Sequence, residues 1–300
     1  MTGGIPFTKV HGCGNDFVLI DRPRLAAQHD AILETRLGLT PDSNYVRAIC
    51  DRRTGVGADG VLLLDREGQW AARIINADGT DGGMCGNGLR CIALYLLRLD
   101  EASPRNPIHI RMGGRDTALE IEQASPFRAA LDLGKVRVGR IDDANTPGPN
   151  DLAKLSEAVG GLPVGVAWAG NPHAYVFSDK LAGNGVEDVA RSVRNTGLFP
   201  EGVNVTVAVR RSESVIRAVT DERGVGPTQA CASGAVALAA GAFRLGFTGA
   251  SCDIEMPGGV LGVNLNQDPN DESVFSARIR GGAEISFTGT LPLAASENKP

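Results

Sequence analysis

Apolar residues come mostly in short runs of four to seven, cut by Gly, Asp, Asn or Pro. Runs of this length rich in Val and Ile predict β-strands. They occur as "FVLID", "GVLLLD", "ARIIN" and "IHIRM" early in the chain. Later come "RAALDLG", "AYVFSD", "VNVTVAV", "VIRAVTD" and "FSARIRG". Two segments break this pattern. "GLRCIALYLLRL" carries Leu89, Ile92, Ala93 and Leu96 at helical spacing, and "SGAVALAAGAFRLG" is apolar on nearly every side. Both predict buried helices, the second with Ser233 as N-cap and Gly246 as stop. Shorter amphipathic pieces near Tyr45–Asp51 and Asp151–Ala158 predict surface helices, and "DDANTPGPND" predicts a loop.

The two helical segments align with each other. From Cys85, Gly88 lies at +3, Ala93 at +8, Arg98 at +13 and Leu99 at +14; from Cys231, Gly234, Ala239, Arg244 and Leu245 lie at the same offsets. Upstream, Gly14–Asn15 and Gly170–Asn171 repeat a "GN" pair ahead of a strand with an aromatic residue. Such self-similarity predicts a tandem duplication. Each half is strand-rich, with one central helix that starts just after a cysteine. Residues 1–122, joined by the tail 290–300, form one half, and 123–289 form the other.

Composition narrows the function classes. A length of 300 residues suffices for two cores. A net charge of −5 without a basic block gives no footprint for nucleic acid or an anionic membrane. The N-terminus has no apolar signal region, and no apolar run is long enough to span a membrane. Six scattered cysteines fit reduced thiols in a cytoplasmic protein. No C-x-x-C or H-x-x-x-H spacing suggests a metal. "GVGADG", Gly55–Gly60, matches a dinucleotide fingerprint in letters only, because it precedes a strand instead of opening a helix.

A cysteine at a helix start sits beside unpaired amides and the positive end of the helix dipole. That position lowers a thiol pKa from about 8.5 towards neutrality and lets the sulfur serve as base or acid. The same amides bind carboxylates. Two such helix ends suit removal of an α-proton on one face of a carbon and delivery on the other. Cys50, Cys91 and Cys252 read as small core residues, and Cys13 as structural or lining.

With these features the sequence resembles diaminopimelate epimerase. The resemblance rests on "KVHGCGNDFVLID", "GVGADGVLLLD", "NADGTDGGMCGNGLRC", "GNPHAYVF", "GVNV" and "ERGVGPTQACASGA", in that order from Lys9 to Ala235. It implies an α/β (α+β) fold of two pseudo-symmetric domains, each a mainly antiparallel β-structure wrapped around a central helix. It further implies cofactor-independent interconversion of LL- and meso-diaminopimelate, with Cys85 and Cys231 as the acid/base pair. Which cysteine deprotonates the LL isomer stays open. Gly86, Asn87, Ala232 and Ser233 match positions that bind the reacting carboxylate. Asn15, Asn76, Asn171, Asn204, Glu222 and Arg223 match substrate-binding positions, and His173 and Glu222 match residues beside the thiols. Taken alone, each asparagine is also a ready turn former. The family often pairs as dimers, although the chain carries no interface signature. Two departures stand out: Ala232 replaces a glycine, and Pro227 replaces an acid and offers no N–H. The rival readings are another racemase or epimerase without pyridoxal phosphate, acting on proline or histidine, and a thiol redox protein.

Overall fold

The computed structural model describes residues 4–37, 42–141, 146–179 and 185–292. The start of the "DDANTPGPND" segment (142–145) and the end of the expected tail (293–300) lie outside these residues. The chain divides into two compact units, Met1–Ala129 with Ala283–Pro300, and Ala130–Gly282.

The first unit runs β1 (Ile5–Gly12), β2 (Asn15–Asp21), α1 (Ala27–Leu37), α2 (Ser43–Cys50), β3 (Gly60–Glu67), β4 (Gln69–Asn76), α3 (Gly86–Arg98), β5 (Ile108–Met112) and β6 (Arg115–Ala124). The second runs β7 (Phe127–Val138), α4 (Pro149–Ala158), β8 (Val164–Trp168), β9 (Pro172–Phe177), α5 (Gly185–Arg194), β10 (Asn204–Arg210), β11 (Val215–Glu222), the two-residue β12 (Gly226–Pro227), α6 (Ala232–Arg244), β13 (Ser251–Met256), β14 (Gly259–Asp268) and β15 (Asp271–Gly282). Strand β16 (Glu284–Leu291) then pairs antiparallel with β1.

The strands of the first unit lie in the order β6-β5-β4-β3-β2-β1-β16, and those of the second in the order β15-β14-β13-β11-β10-β9-β8-β7. From β1 to β6 the pairings alternate antiparallel, parallel, antiparallel, parallel, antiparallel. The same succession runs β8, β9, β10, β11, β13, β14. The duplication inferred from the cysteine-headed segments is therefore repeated in the hydrogen-bonding ladders, and the expected pseudo-symmetric, mainly antiparallel architecture is what the chain adopts.

Each unit wraps its sheet on one helix. Helix α3 packs against β1, β2, β6 and β16, and α6 against β8, β9, β10, β13, β14 and β15. The other sheet face is covered too. Val61 and Leu63 of β3 join Leu33, Leu37, Val46 and Ile49 of α1 and α2 in one apolar cluster. Alternate residues Leu62 and Leu64 are also buried. A strand buried on both faces reads as a continuous apolar run, which explains "VLLL". In the second unit Leu155 of α4 and Ala190 and Val193 of α5 cover β8, β9 and β10 in the same way. No helix among the described residues is long and apolar enough to cross a membrane.

Candidate active site

Cys85 and Cys231 occupy equivalent places. Each is the N-cap of its unit's central helix, with extended backbone angles (φ −133°, ψ 107° and φ −121°, ψ 110°). Cys85 Sγ accepts the Gly88 N–H at 3.3 Å, and Cys231 Sγ accepts the Gly234 N–H at 3.4 Å. The sulfur thus does what Ser or Asp oxygen does at an ordinary N-cap. Ser233, expected as the N-cap, is the second residue of α6; Cys231 takes that place because its sulfur meets the Gly234 amide. The Ser233 hydroxyl lies 3.5 Å from Cys231 Sγ.

In the first unit Asn87 and Arg90 fix the helix start. Arg90 is fully buried, although it is the charged member of an apolar run. Its guanidinium donates to Asn87 Oδ1 at 2.6 Å, to the Gly86 carbonyl at 3.4 Å and towards Cys13 Sγ at 3.9 Å. Cys13 and Gly14 have φ of 53° and 78°. They form the two-residue tip of the β1–β2 hairpin, closed by the Gly12–Asn15 pair, in the doubly left-handed conformation such tips favour. Arg90 therefore ties the loop that presents Asn15 to the helix start that presents Gly86 and Asn87. On the hairpin's other side Asp16 pairs with Lys9 and Arg52, and these cations hold its carboxyl at about 2 against the opposing effect of burial. Asn76 ends β4 and donates from Nδ2 to Thr80 Oγ1 at 3.0 Å.

In the second unit the polar side chains lie on β9, on β10 and around the end of β11. His173 is buried in β9, with Nε2 2.7 Å from Asn171 Oδ1. Burial pushes its pKa down to about 3, so the imidazole is neutral. Asn204 opens β10 and accepts the Arg223 N–H at 2.9 Å. Arg223 itself is exposed, and its guanidinium donates to the Glu201 carbonyl at 2.6 Å. Glu222 accepts from Thr228 Oγ1 at 2.7 Å and lies beside the Cys231 thiol. Pro227 is an exposed member of β12, opposite Asp221.

Burial, then the Glu222 carboxylate, push the Cys231 thiol up to about 12, against the smaller downward pull of Ser233 and the Gly234 amide. The expectation of a near-neutral thiol is corrected here for Cys231. Removing a sulfur anion from water outweighs the Ser233 and Gly234 hydrogen bonds. Burial likewise holds Cys50 and Cys252 up to about 11 and raises Cys91 further, as fits core residues.

The register also shows how the halves differ. Phe17 lies opposite Gly60, and His173 opposite Asn204, at equivalent points of the two parallel pairs. Leu62 faces Ile74 where Thr206 faces Thr220. One helix start rests on aliphatic carbon, the other on two buried hydroxyls 2.9 Å apart. Sequence reading missed Arg90 and also two methionines: the Cys85 N–H donates to Met112 Sδ at 3.3 Å and the Cys231 N–H to Met256 Sδ at 3.4 Å. A repeated "M-G-G"/"M-P-G-G" after β5 and β13 was the available signal.

The family model described as diaminopimelate epimerase matches residues 7–138 and 166–277. A diaminopimelate epimerase of Archaeoglobus fulgidus is 35% identical over 294 residues, covering 96% of this chain and 97% of that protein. One of Acidiphilium cryptum is 36% identical, covering 98% and 99%. Among solved structures, a probable proline racemase of Agrobacterium radiobacter superposes with a TM-score of 0.67 at 15% identity, covering 98% of this chain and 94% of that one. At that identity the likeness concerns the fold.

Proposed function

The chain belongs to the diaminopimelate epimerase family, and from that premise we propose that it interconverts LL- and meso-diaminopimelate with Cys85 and Cys231 as acid and base. The observation that carries this reading is the matched pair of N-cap thiols, each bonded to the third amide of its helix. One sulfur, as thiolate, takes the α-proton. The electron pair passes into the α-carboxylate. The other thiol gives its proton to the opposite face of the same carbon, and the centre is inverted. The amides of Gly86, Asn87, Ala232 and Ser233 sit in the first turns of α3 and α6, where N–H groups have no partner within the helix. They are the donors for the carboxylate as it gains charge, a contribution typically of ~3–4 kcal/mol per donor in comparable oxyanion sites.

The remaining assignments follow from chemistry. Arg223 suits bidentate capture of a carboxylate. Asn15, Asn76, Asn171 and Asn204 offer donors and acceptors to a substrate with an amino-acid group at each end. Glu222, beside Cys231, favours the protonated thiol, which suits the donor role in the resting state. Neutral His173 can accept or donate but adds no charge. A cytoplasmic location and a homodimer go with this reading; the scattered placement of the six cysteines supports the former.

Chiral analysis of the product formed from LL-diaminopimelate, with reductant and no added cofactor, tests the proposal. Meso product from the parent and none from Cys85→Ala or Cys231→Ala supports it. Turnover of proline or histidine without diaminopimelate overturns the substrate; parent-rate epimerisation by either alanine variant overturns the two-thiol chemistry.

A further inference from the structure

At many helix starts two hydrogen bonds cross: the N-cap side chain accepts the amide of the third helical residue, and that residue's side chain reaches back to the N-cap amide. Here the first bond is present at both helices, through sulfur. The second is impossible, because the third residue is Gly88 in α3 and Gly234 in α6.

Close packing favours glycine at these positions. A Cβ at Gly88 would come within 2.9 Å of Leu62 Cδ2. One at Gly234 would lie 2.9 Å from Thr220 Oγ1 and 3.2 Å from Cys231 Sγ. The space a reaching side chain needs is taken by the strand beneath the helix. The reciprocal bond of an ordinary capping box is therefore absent at both cysteine amides.

The partner comes from elsewhere in each unit. Met112 is the last residue of β5, and Met256 the last of β13, the equivalent strand. Both are buried. Their thioether sulfurs accept the Cys85 and Cys231 N–H groups at 3.3 and 3.4 Å. Four methionines occur in the chain, so two of them in these equivalent places is a specific coincidence. We infer that Met112 and Met256 are positioning residues, each completing the cap of one reactive cysteine and holding its sulfur against the Gly88 or Gly234 amide. With the cysteine amide pinned, rotation about φ is restricted, and the sulfur keeps both its helix contact and its aim. The inference deepens the proposed function and rests on it for the kinetic arm of its test.

Met112→Leu and Met256→Leu remove the acceptor while nearly conserving volume. Two readouts separate positioning from general packing. The first is iodoacetamide alkylation of each cysteine in the full chain, followed by mass spectrometry across pH. Met112→Leu raises the pH midpoint for Cys85 by about half a unit or more and leaves Cys231 unchanged; Met256→Leu does the converse. The second is turnover of LL-diaminopimelate, where kcat falls about tenfold while KM stays within about twofold. Replacing every methionine with norleucine, which keeps the linear shape without sulfur, gives both shifts together should a leucine variant fail to fold. Unchanged alkylation profiles in the leucine or norleucine proteins overturn the inference, as do profiles that shift equally at both cysteines in either single variant. A parent protein that epimerises nothing removes the proposed function, and the alkylation arm still decides the role of the methionines.

Discussion

At the scale of single residues, the two cysteines proposed as acid and base differ from Cys91 in what their sulfur accepts. Cys85 and Cys231 accept a helix amide, whereas Cys91, one turn and a half further on, is sealed in the core. The offsets from Cys85 and Cys231 made this legible in the sequence, because equal spacing to Gly88 and Gly234 specifies an equal helix start. The Cys231 pKa was not legible, since it depends on Glu222 and on burial that only the folded strands create. Arg90, Met112 and Met256 were hidden for a related reason: their partners stand on other elements, up to 77 residues away for Arg90 and Cys13. His173 offers a test in stability. Its folded pKa of about 3 lies below the 6.5 of a free imidazole, so the unfolded chain binds the extra proton between those values. Its neutral burial therefore supports the fold above about pH 6.5, and that support is lost as pH falls towards 3, by about 1.4 kcal/mol per pH unit. His173→Phe, which installs the residue of the equivalent position Phe17, should flatten the acid limb of a denaturation curve; an unchanged limb contradicts the assignment. Arg223 is exposed, so Arg223→Ala should leave thermal stability within about 0.5 kcal/mol while raising KM for diaminopimelate at least tenfold. A parent-like KM removes Arg223 from the substrate set.

At the scale of elements, strands and central helices followed from hydrophobic runs, but two covering helices did not. Helix α5, "GVEDVARSVR", buries Val186, Ala190 and Val193 at helical spacing, a weak signal carried by small and β-branched residues. Helix α1 buries Leu33 and Leu37 beneath a mixed polar surface. Strands β6 and β14 alternate or expose many residues and lack the continuous run that marked β3. Strand β16 pairs with β1 across the whole sequence, a contact no local pattern encodes. The helix starts give an element-level prediction with a sign. At Gly88 the crowding atom is the end of the Leu62 side chain, which can shift; at Gly234 it includes Cys231 Sγ itself. Gly88→Ala should therefore cost about 1 kcal/mol in thermal unfolding with modest loss of kcat, and Gly234→Ala about 1–3 kcal/mol with kcat reduced more than tenfold. Equal kinetic losses would mean the sulfur is not what Gly234 protects.

At the scale of the whole molecule, the chain carries the same strand succession twice, and each copy delivers one thiol on the cap of its central helix. The copies have diverged around that shared frame. Leu62 packs at the start of one helix, Thr220 and Thr206 at the start of the other, and Phe17 stands where the second copy has His173. If Cys85 and Cys231 act as proposed, their unequal surroundings suit a reaction whose two directions begin from different isomers. The direct measurement is early-turnover exchange in deuterated water: LL-diaminopimelate is incubated with reduced protein, and the α-carbons of product and recovered substrate are analysed separately. Two separate thiols predict one solvent deuterium in the meso product and none in the unreacted LL isomer. Deuterium appearing equally in recovered substrate would mean that one group serves both faces, and would contradict the account.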